Sequence, residues 1–236
     1  MTADAIALCA HGEAAWHAVG YAALGAAWAD DGVLARGFGE TPHPFLLGAV
    51  TLAPDAAVPG DVPGIVCDSF ARLRLPGRRA EPTGFWMIRD AGHPGHPGRP
   101  PSVPGLVIRR VETDDDVGWF ENLAFLAVDG RPPGRPGELH PPGSQRLPGL
   151  TLLTAEIDGE GVGTALSVAT GRVNEIGAVA VMPAHRGRGV AGALTEAAIA
   201  VEPGVPAVLS ATPAGRGVYR RLGFTEVGRP LHHHPV

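Results

Sequence analysis

The sequence contains no lysine; all 19 of its basic residues are arginine. That absence excludes the phosphate loop of nucleotide hydrolases, whose GxxxxGK[ST] pattern needs a lysine. Cysteine is nearly absent as well. Cys9 and Cys67 lack the spacing of metal ligands, so no metal is expected, and both read as reduced thiols of a cytoplasmic protein. Charge is sparse: 18% of residues are charged and the net charge is −5. No basic run is long enough to grip a phosphate backbone, which argues against nucleic acid as a partner. No apolar run approaches the roughly 18 residues that span a bilayer, so no membrane partner is expected. The first residues include Asp4 and no positive stretch, unlike a signal peptide.

What the chain does have is apolar residues, 44% of the total and enough for a real core, together with 34 Gly and 24 Pro. The Gly and Pro are concentrated. One stretch, 91–105, reads as a linker because its prolines fix φ and remove donors. A second, 130–149, reads as a long loop. The expected organisation is an N-terminal block over 1–90, the linker, and a larger block over 106–230.

The N-terminal block opens on a helical spacing of Leu8, Trp16, Val19 and Leu24, followed by β-like runs at 45–52, 64–67 and 84–88. It carries no catalytic pattern and reads as a structural or substrate-walling part. The second block predicts β-α-β-β-β-α-β-α-β. Its strands fall at 106–111, 150–157, 163–169, 173–182, 207–211 and 224–227. Thr113 and the acids after it cap the first helix, Asp158-Gly159 turns a hairpin, helices follow at 189–200 and 217–222, and Gly223 ends the last one. The three terminal histidines, His232 to His234, read as a solvated tail.

Between the strand ending near Pro183 and the helix after it lie Arg186, Gly187, Arg188, Gly189, Val190 and Ala191. The first N–H groups of a helix have no internal partners, and the helix dipole places positive charge there. Glycines let the backbone approach a ligand closely, so this turn is suited to a pyrophosphate, with Arg186 and Arg188 as candidate charged contacts. It is not the GxGxxG dinucleotide fingerprint, because Ala191-Gly192-Ala193 breaks that spacing.

Arg186, Gly189 and Ala191, following Val181-Met182-Pro183, resemble motif A of the GNAT superfamily of N-acetyltransferases, (R/Q)xxGx(G/A). Tyr219 to Phe224 (YRRLGF) resembles the YxxxGF signature of that family's motif B, in the expected order. Where the family often has Asn seven residues before the Tyr, Thr212 stands here, with a hydroxyl that can also bond a cofactor. The resemblance covers about 105–229. It implies an α/β fold with a mixed, mostly antiparallel sheet flanked by helices, beside a smaller N-terminal α/β block. It implies acetyl-CoA as cofactor, its pantetheine arm paired with the backbone of Val179, Ala180 and Val181, and Tyr219 as proton donor to the leaving thiolate. The acceptor would be the primary amine of a small molecule or peptide, attacking directly in a ternary complex; a homodimer is left open. Glu175 is the candidate general base, placed by strand alternation on the face of Val179 and Val181. Glu138 and His140 in the long loop are its rivals. Two other readings stand beside this one: an acyl-CoA-binding sensor without catalysis, and an N-terminal block that is a decayed half of the same fold.

Overall fold

A computed structural model of the chain describes residues 3–93 and 103–236. Most of the expected linker therefore lies outside the described residues. In chain order the elements are α1 (Ala3–Ala23), β1 (Trp28–Asp30), β2 (Leu34–Gly37), β3 (Ala49–Thr51), β4 (Val66–Asp68), β5 (Arg78–Pro82), β6 (Phe85–Arg89), β7 (Leu106–Arg110), α2 (Asp114–Asp129), β8 (Leu150–Ile157), β9 (Glu160–Ala169), β10 (Asn174–Val181), α3 (Val190–Ile199), β11 (Ala207–Ala211), α4 (Arg216–Arg221), β12 (Thr225–Gly228) and β13 (Leu231–Pro235). Among the described residues no helix is long and apolar enough to cross a membrane.

Local chemistry sets several boundaries. Thr113 caps α2 with a reciprocal box: its hydroxyl accepts from the Asp116 N–H, and the Asp116 carboxylate accepts from the Thr113 N–H. Gly130 ends the helix in the left-handed region, at φ 71°. Asp158 and Gly159 both take positive φ between β8 and β9, the geometry of a two-residue hairpin loop.

The strands form a six-stranded sheet, ordered β1-β2-β3-β4-β13-β5, and a seven-stranded sheet, ordered β12-β6-β11-β10-β9-β8-β7. The two blocks are not separate in space. β6, from the first block, sits between β11 and β12 of the larger sheet, and β13 sits between β4 and β5 of the smaller one. The expected division at 91–105 is thus crossed by two strands in opposite directions.

The exchange exposes a repeat. In the smaller sheet β1-β2 and β2-β3 are antiparallel, β3-β4 is parallel, and β4-β13 and β13-β5 are antiparallel. In the larger sheet β8-β9, β9-β10, β10-β11, β11-β6 and β6-β12 follow the same succession. The halves differ between their parallel strands. α3 connects β10 to β11, whereas residues 52–65, between β3 and β4, contain no helix.

Burial follows the same plan. Val190, Leu194 and Ala198 of α3 pack on one face of the larger sheet with Ile176 and Leu209. On the other face Val117 and Phe120 of α2 join Leu152 and Leu166. α1 lies between the two sheets: Cys9, Ala10 and Ala14 meet Val50 and Cys67 of the smaller sheet and Trp86 and Val208 of the larger one. The terminal histidines correct the expectation of a solvated tail. They form β13, and His233 is 2% exposed, with Nε2 3.7 Å from the Asp68 carboxylate.

Candidate active site

β10 and β11 are parallel neighbours for only two registers, Asn174 with Ala207 and Glu175 with Val208. β10 then runs on to Val181, and beyond Glu175 no β11 register continues along that edge. The result is a gap with Glu175 at its closed end. β10 also carries a bulge. Gly177 faces Leu166 and Ala180 faces Thr164, so two residues, Ala178 and Val179, oppose one on β9. Ala178 holds φ 48°, which is uncommon for a residue with a Cβ, and its carbonyl accepts from the Thr164 hydroxyl at 2.9 Å.

The bulge corrects the expected face of Glu175. Strand alternation put Glu175 with Val179 and Val181. The extra residue shifts the phase, so Glu175 shares its side with Gly177 and Ala180. Val179 and Val181 instead pack toward α3, in the cluster that also holds Tyr219.

At the open end of the gap lies the glycine turn. Gly187 has φ 75° and Gly189 φ 91°. Gly189 is the N-cap of α3 and no side chain caps the helix, which leaves its first N–H groups pointing outward for a ligand. Val190 is buried and Ala191 half-buried, so the helix start is anchored in the core while Gly187 and Arg188 are exposed. The two arginines have different situations. Arg186 donates from Nε to the Val181 carbonyl at 3.0 Å and from a terminal nitrogen to the Ala127 carbonyl at 2.8 Å. Its guanidinium ties the turn to the ends of β10 and α2 and is committed to the scaffold rather than free for an anion. Arg188 is exposed, and its guanidinium lies 3.2 Å from His185 Nδ1.

Tyr219 stands on α4, edge-on to Phe224 with ring centroids 5.9 Å apart. Burial, and then the Glu175 charge, push its phenol up to about 12, so it carries its proton at neutral pH and can donate it. Thr212 is exposed. Its hydroxyl oxygen accepts from the Gly215 N–H at 3.1 Å, shaping the turn into α4 and leaving its own proton free to donate.

Glu175 is 3% exposed. Burial raises its carboxyl well above the usual range, and the Glu13 charge adds to the rise. Its Oε2 is buried without a hydrogen-bond partner. α1 lies directly over it, and a Cβ placed on Gly12 would be 2.4 Å from that oxygen.

The rival residues sit in a different arrangement. The loop over 130–149 is ordered around Glu121, a buried acid of α2. Its carboxylate accepts the N–H groups of Gly137, Leu139 and His140, the last two at 2.8 Å each. Glu138 accepts the N–H groups of Gly134 and Arg135. His140 is half-buried, its ring edge-on to Phe120, and desolvation lowers its imidazole to about 4. Both rivals shape the loop. Four contributors escaped the sequence reading: Gly12, Glu13, Glu121 and the bulge at Ala178. Only Glu121 left a signal, an acid on the buried phase of an amphipathic helix.

Residues 148–226 match the family model described as Acetyltransferase (GNAT) domain. No curated protein matches the chain by sequence. Among solved structures, a GCN5-related N-acetyltransferase from Kribbella flavida superimposes with a TM-score of 0.60 at 17% identity, covering 97% of this chain and 95% of that one. A putative acetyltransferase of the GNAT family from Novosphingobium aromaticivorans gives 0.53 at 21% identity, over 92% and 94%. A functionally unknown conserved protein from Staphylococcus epidermidis gives 0.56 at 12%, over 89% and 94%. At such identities the likeness is one of fold, and it runs through both halves.

Proposed function

We propose that the chain, of which residues 148–226 match an acetyltransferase (GNAT) domain, is an N-acyltransferase of that superfamily, moving an acetyl group from acetyl-CoA to the primary amine of a small molecule or peptide. The observation that carries this reading is the gap between β10 and β11, which opens toward an uncapped helix start. Backbone N–H groups from Gly187 to Ala191 would hold the pyrophosphate, with Arg188 as the charged partner. The free edge of β10 over Val179, Ala180 and Val181 would pair with the pantetheine amides as an added strand. Thr212 would offer its hydroxyl proton. When bound, acetyl-CoA supplies the thioester that the amine attacks.

The chain's own residues then handle protons. Glu175 takes one from the acceptor ammonium so that a neutral amine is presented. Its raised pKa makes it a stronger base once ionised. Tyr219 gives its phenolic proton to the departing thiolate. Holding both partners in one gap supplies much of the acceleration. One observation favours a second reading, an acyl-CoA sensor: the candidate base is covered by α1.

The two readings separate in one experiment. The full chain is incubated with acetyl-CoA and a panel of primary amines while free thiol is followed. An enzyme releases thiol only with an accepted amine, and Tyr219→Phe slows it by about 10²-fold, the low end of general-acid assistance. Tight acetyl-CoA binding with no turnover across amines and peptides would favour the sensor.

A further inference from the structure

A cavity of about 280 Å³ lies between α1, β1 and the turn that joins β9 to β10, apart from the pyrophosphate turn. Along α1 it is lined by His11, Ala14, Ala15 and Ala18, residues three and four apart that a helix places on one side. The three alanines in that row leave the space open. From β1 comes Trp28, whose indole is fixed by the buried Tyr21 ring, with centroids 4.9 Å apart.

The cavity also holds a cation. The turn before β10 is closed by Thr170, whose hydroxyl donates to the Val173 carbonyl at 2.8 Å and accepts from the N–H groups of Arg172 and Val173, at 3.2 and 3.0 Å. That turn presents Arg172 to the cavity. The guanidinium donates to His11 Nε2 at 2.9 Å, so the imidazole proton sits on Nδ1. Burial and then the Arg172 charge lower the His11 imidazole, which keeps the ring neutral and able to accept that bond. Among the described residues no carboxylate pairs with Arg172. Asp30 lines the same cavity, but its Oδ1 accepts from the Gly32 N–H at 2.7 Å.

An oriented guanidinium without an acid partner, beside small apolar side chains and an indole, suits a carboxylate on a short carbon chain. The volume lies just below the roughly 300–1,000 Å³ of sites for drug-sized ligands, which fits a few carbons rather than a peptide. The Asp30 charge disfavours a second negative group.

The cavity stands beside the candidate base. Arg172 precedes Glu175 by three residues, a reach of at most about 11 Å along an extended chain. His11 adjoins Gly12, whose bare backbone faces Glu175 Oε2. The glycine turn lies at the open end of the gap, and Glu175 and Arg172 lie toward the closed end. A cofactor held at the open end leaves the closed end for the acceptor.

We propose that this cavity holds the carboxylate end of the acceptor, with Arg172 as the residue that recognises it, so that the substrate is a small amine carrying one carboxylate. This rests on the acyltransferase reading and narrows its acceptor from primary amines at large to one class. Arg172 pairs with the carboxylate, His11 holds the guanidinium, and Trp28 with the alanines covers the carbon chain. The amine at the other end is directed toward Glu175. Because Arg172 is exposed, its pairing stands at the low end for a charged hydrogen bond, about tenfold in kcat/KM.

The test offers the full chain acetyl-CoA with 4-aminobutyrate or 5-aminovalerate, each beside its own amide. The amide keeps the amine and the length and removes the charge. Thiol release gives kcat/KM, and the quantity read is the ratio of acid to amide. A variant that is merely less well folded lowers both values and leaves their ratio. Wild type should prefer the acids about tenfold or more. Arg172→Gln should bring the ratio close to one, and Arg172→Glu should take it below one. A wild-type ratio near one, or a ratio that neither variant changes, overturns the proposal. A second readout needs no turnover. The indole N–H resonance of Trp28, assigned by its loss in Trp28→Phe, should shift saturably with 4-aminobutyrate, stay in place with the amide, and stay in place for both in Arg172→Gln. A resonance unmoved by 4-aminobutyrate in wild type overturns the cavity as a carboxylate site, even where amines are acetylated. If no amine is acetylated, the acyltransferase reading falls and the acceptor role with it. A shift that depends on Arg172 would then still mark the cavity as a carboxylate site, which separates the two failures.

Discussion

Replacing Gly189 by Val probes the anion turn at its most constrained point. Gly189 caps α3 at φ 91° and ψ −4°. A β-branched residue in that region costs about 1–3 kcal/mol. The helix start can relieve the strain only by turning its first peptides, which takes the free N–H groups away from their common direction. Two losses follow, and they are separable. A chain of this size loses about 2–4 °C in Tm per kcal/mol, so strain alone lowers the melting point by about 2–12 °C. Wild type with acetyl-CoA at about 100 times its Kd gains about 2.7 kcal/mol, or about 5–11 °C on the same conversion. The variant should lose that gain. Gly192→Ala, one turn into the same helix, is the control. Its Cβ would meet only Leu222 Cδ2, at 3.9 Å, an ordinary contact. It should raise the melting point slightly, since Gly in a helix costs about 0.5–1 kcal/mol against Ala, and keep the ligand shift. The assay is differential scanning fluorimetry with and without acetyl-CoA. A folded Gly189→Val protein with the wild-type shift refutes the assignment of the turn.

The arginines beside the turn should behave oppositely in calorimetry. Arg186→Met, which gives up its bonds to the Val181 and Ala127 carbonyls, should lower the melting point more than acetyl-CoA affinity, and Arg188→Ala should do the reverse; equal behaviour of the two would contradict their assigned roles. A chain ending at Gly228 lacks β13, which leaves β4 and β5 without their shared neighbour, and amide exchange should show the smaller sheet unprotected. Glu121→Gln removes a charge that holds three backbone donors, each charged bond being worth about 1.5–3 kcal/mol. Limited proteolysis should then cut within 130–149; a loop as resistant as wild type would show that Glu121 does not hold it.

The features legible in the sequence are those whose causes are local. The cap at Thr113, the Asp158-Gly159 turn and the glycine turn before α3 each lie within a few residues of what they cause, and all three occur as expected. β8 matches its expected span residue for residue. β13 was illegible because histidines and prolines near a terminus carry no strand signal; only the space between β4 and β5 makes them one. β6 was legible as a strand but its sheet was not, since an apolar run does not encode its neighbour. The face of Glu175 was misjudged because a period of two holds only along an uninterrupted ladder, and the bulge at Ala178 is set by pairing with β9. Glu13 and His17, four apart on a helix, look like a solvated pair until the second sheet covers them.

The repeat also indicates why the two halves stay together although only one has a gap. In the smaller sheet the parallel pair is closed where the larger one opens. β3 ends at Thr51, and the Thr51 hydroxyl accepts from the Ser69 N–H at 2.9 Å, bridging the end of β4. At the other end the Gly48 N–H donates to the Ile65 carbonyl at 2.7 Å. Among the described residues that half has no helix between its parallel strands whose start could hold an anion. Its contribution to the gap is mechanical. β11, the far wall, shares two registers with β10 but five with β6, from Ala207 with Arg89 to Ala211 with Phe85. The strand that fixes the direction of the far wall therefore comes from the first half, and the helix that covers Glu175 comes from it too. Loss of the first half would remove both the partner that keeps β11 diverging from β10 and the wall that keeps Glu175 dry. A half without its own cleft is in this way retained by the cleft of the other.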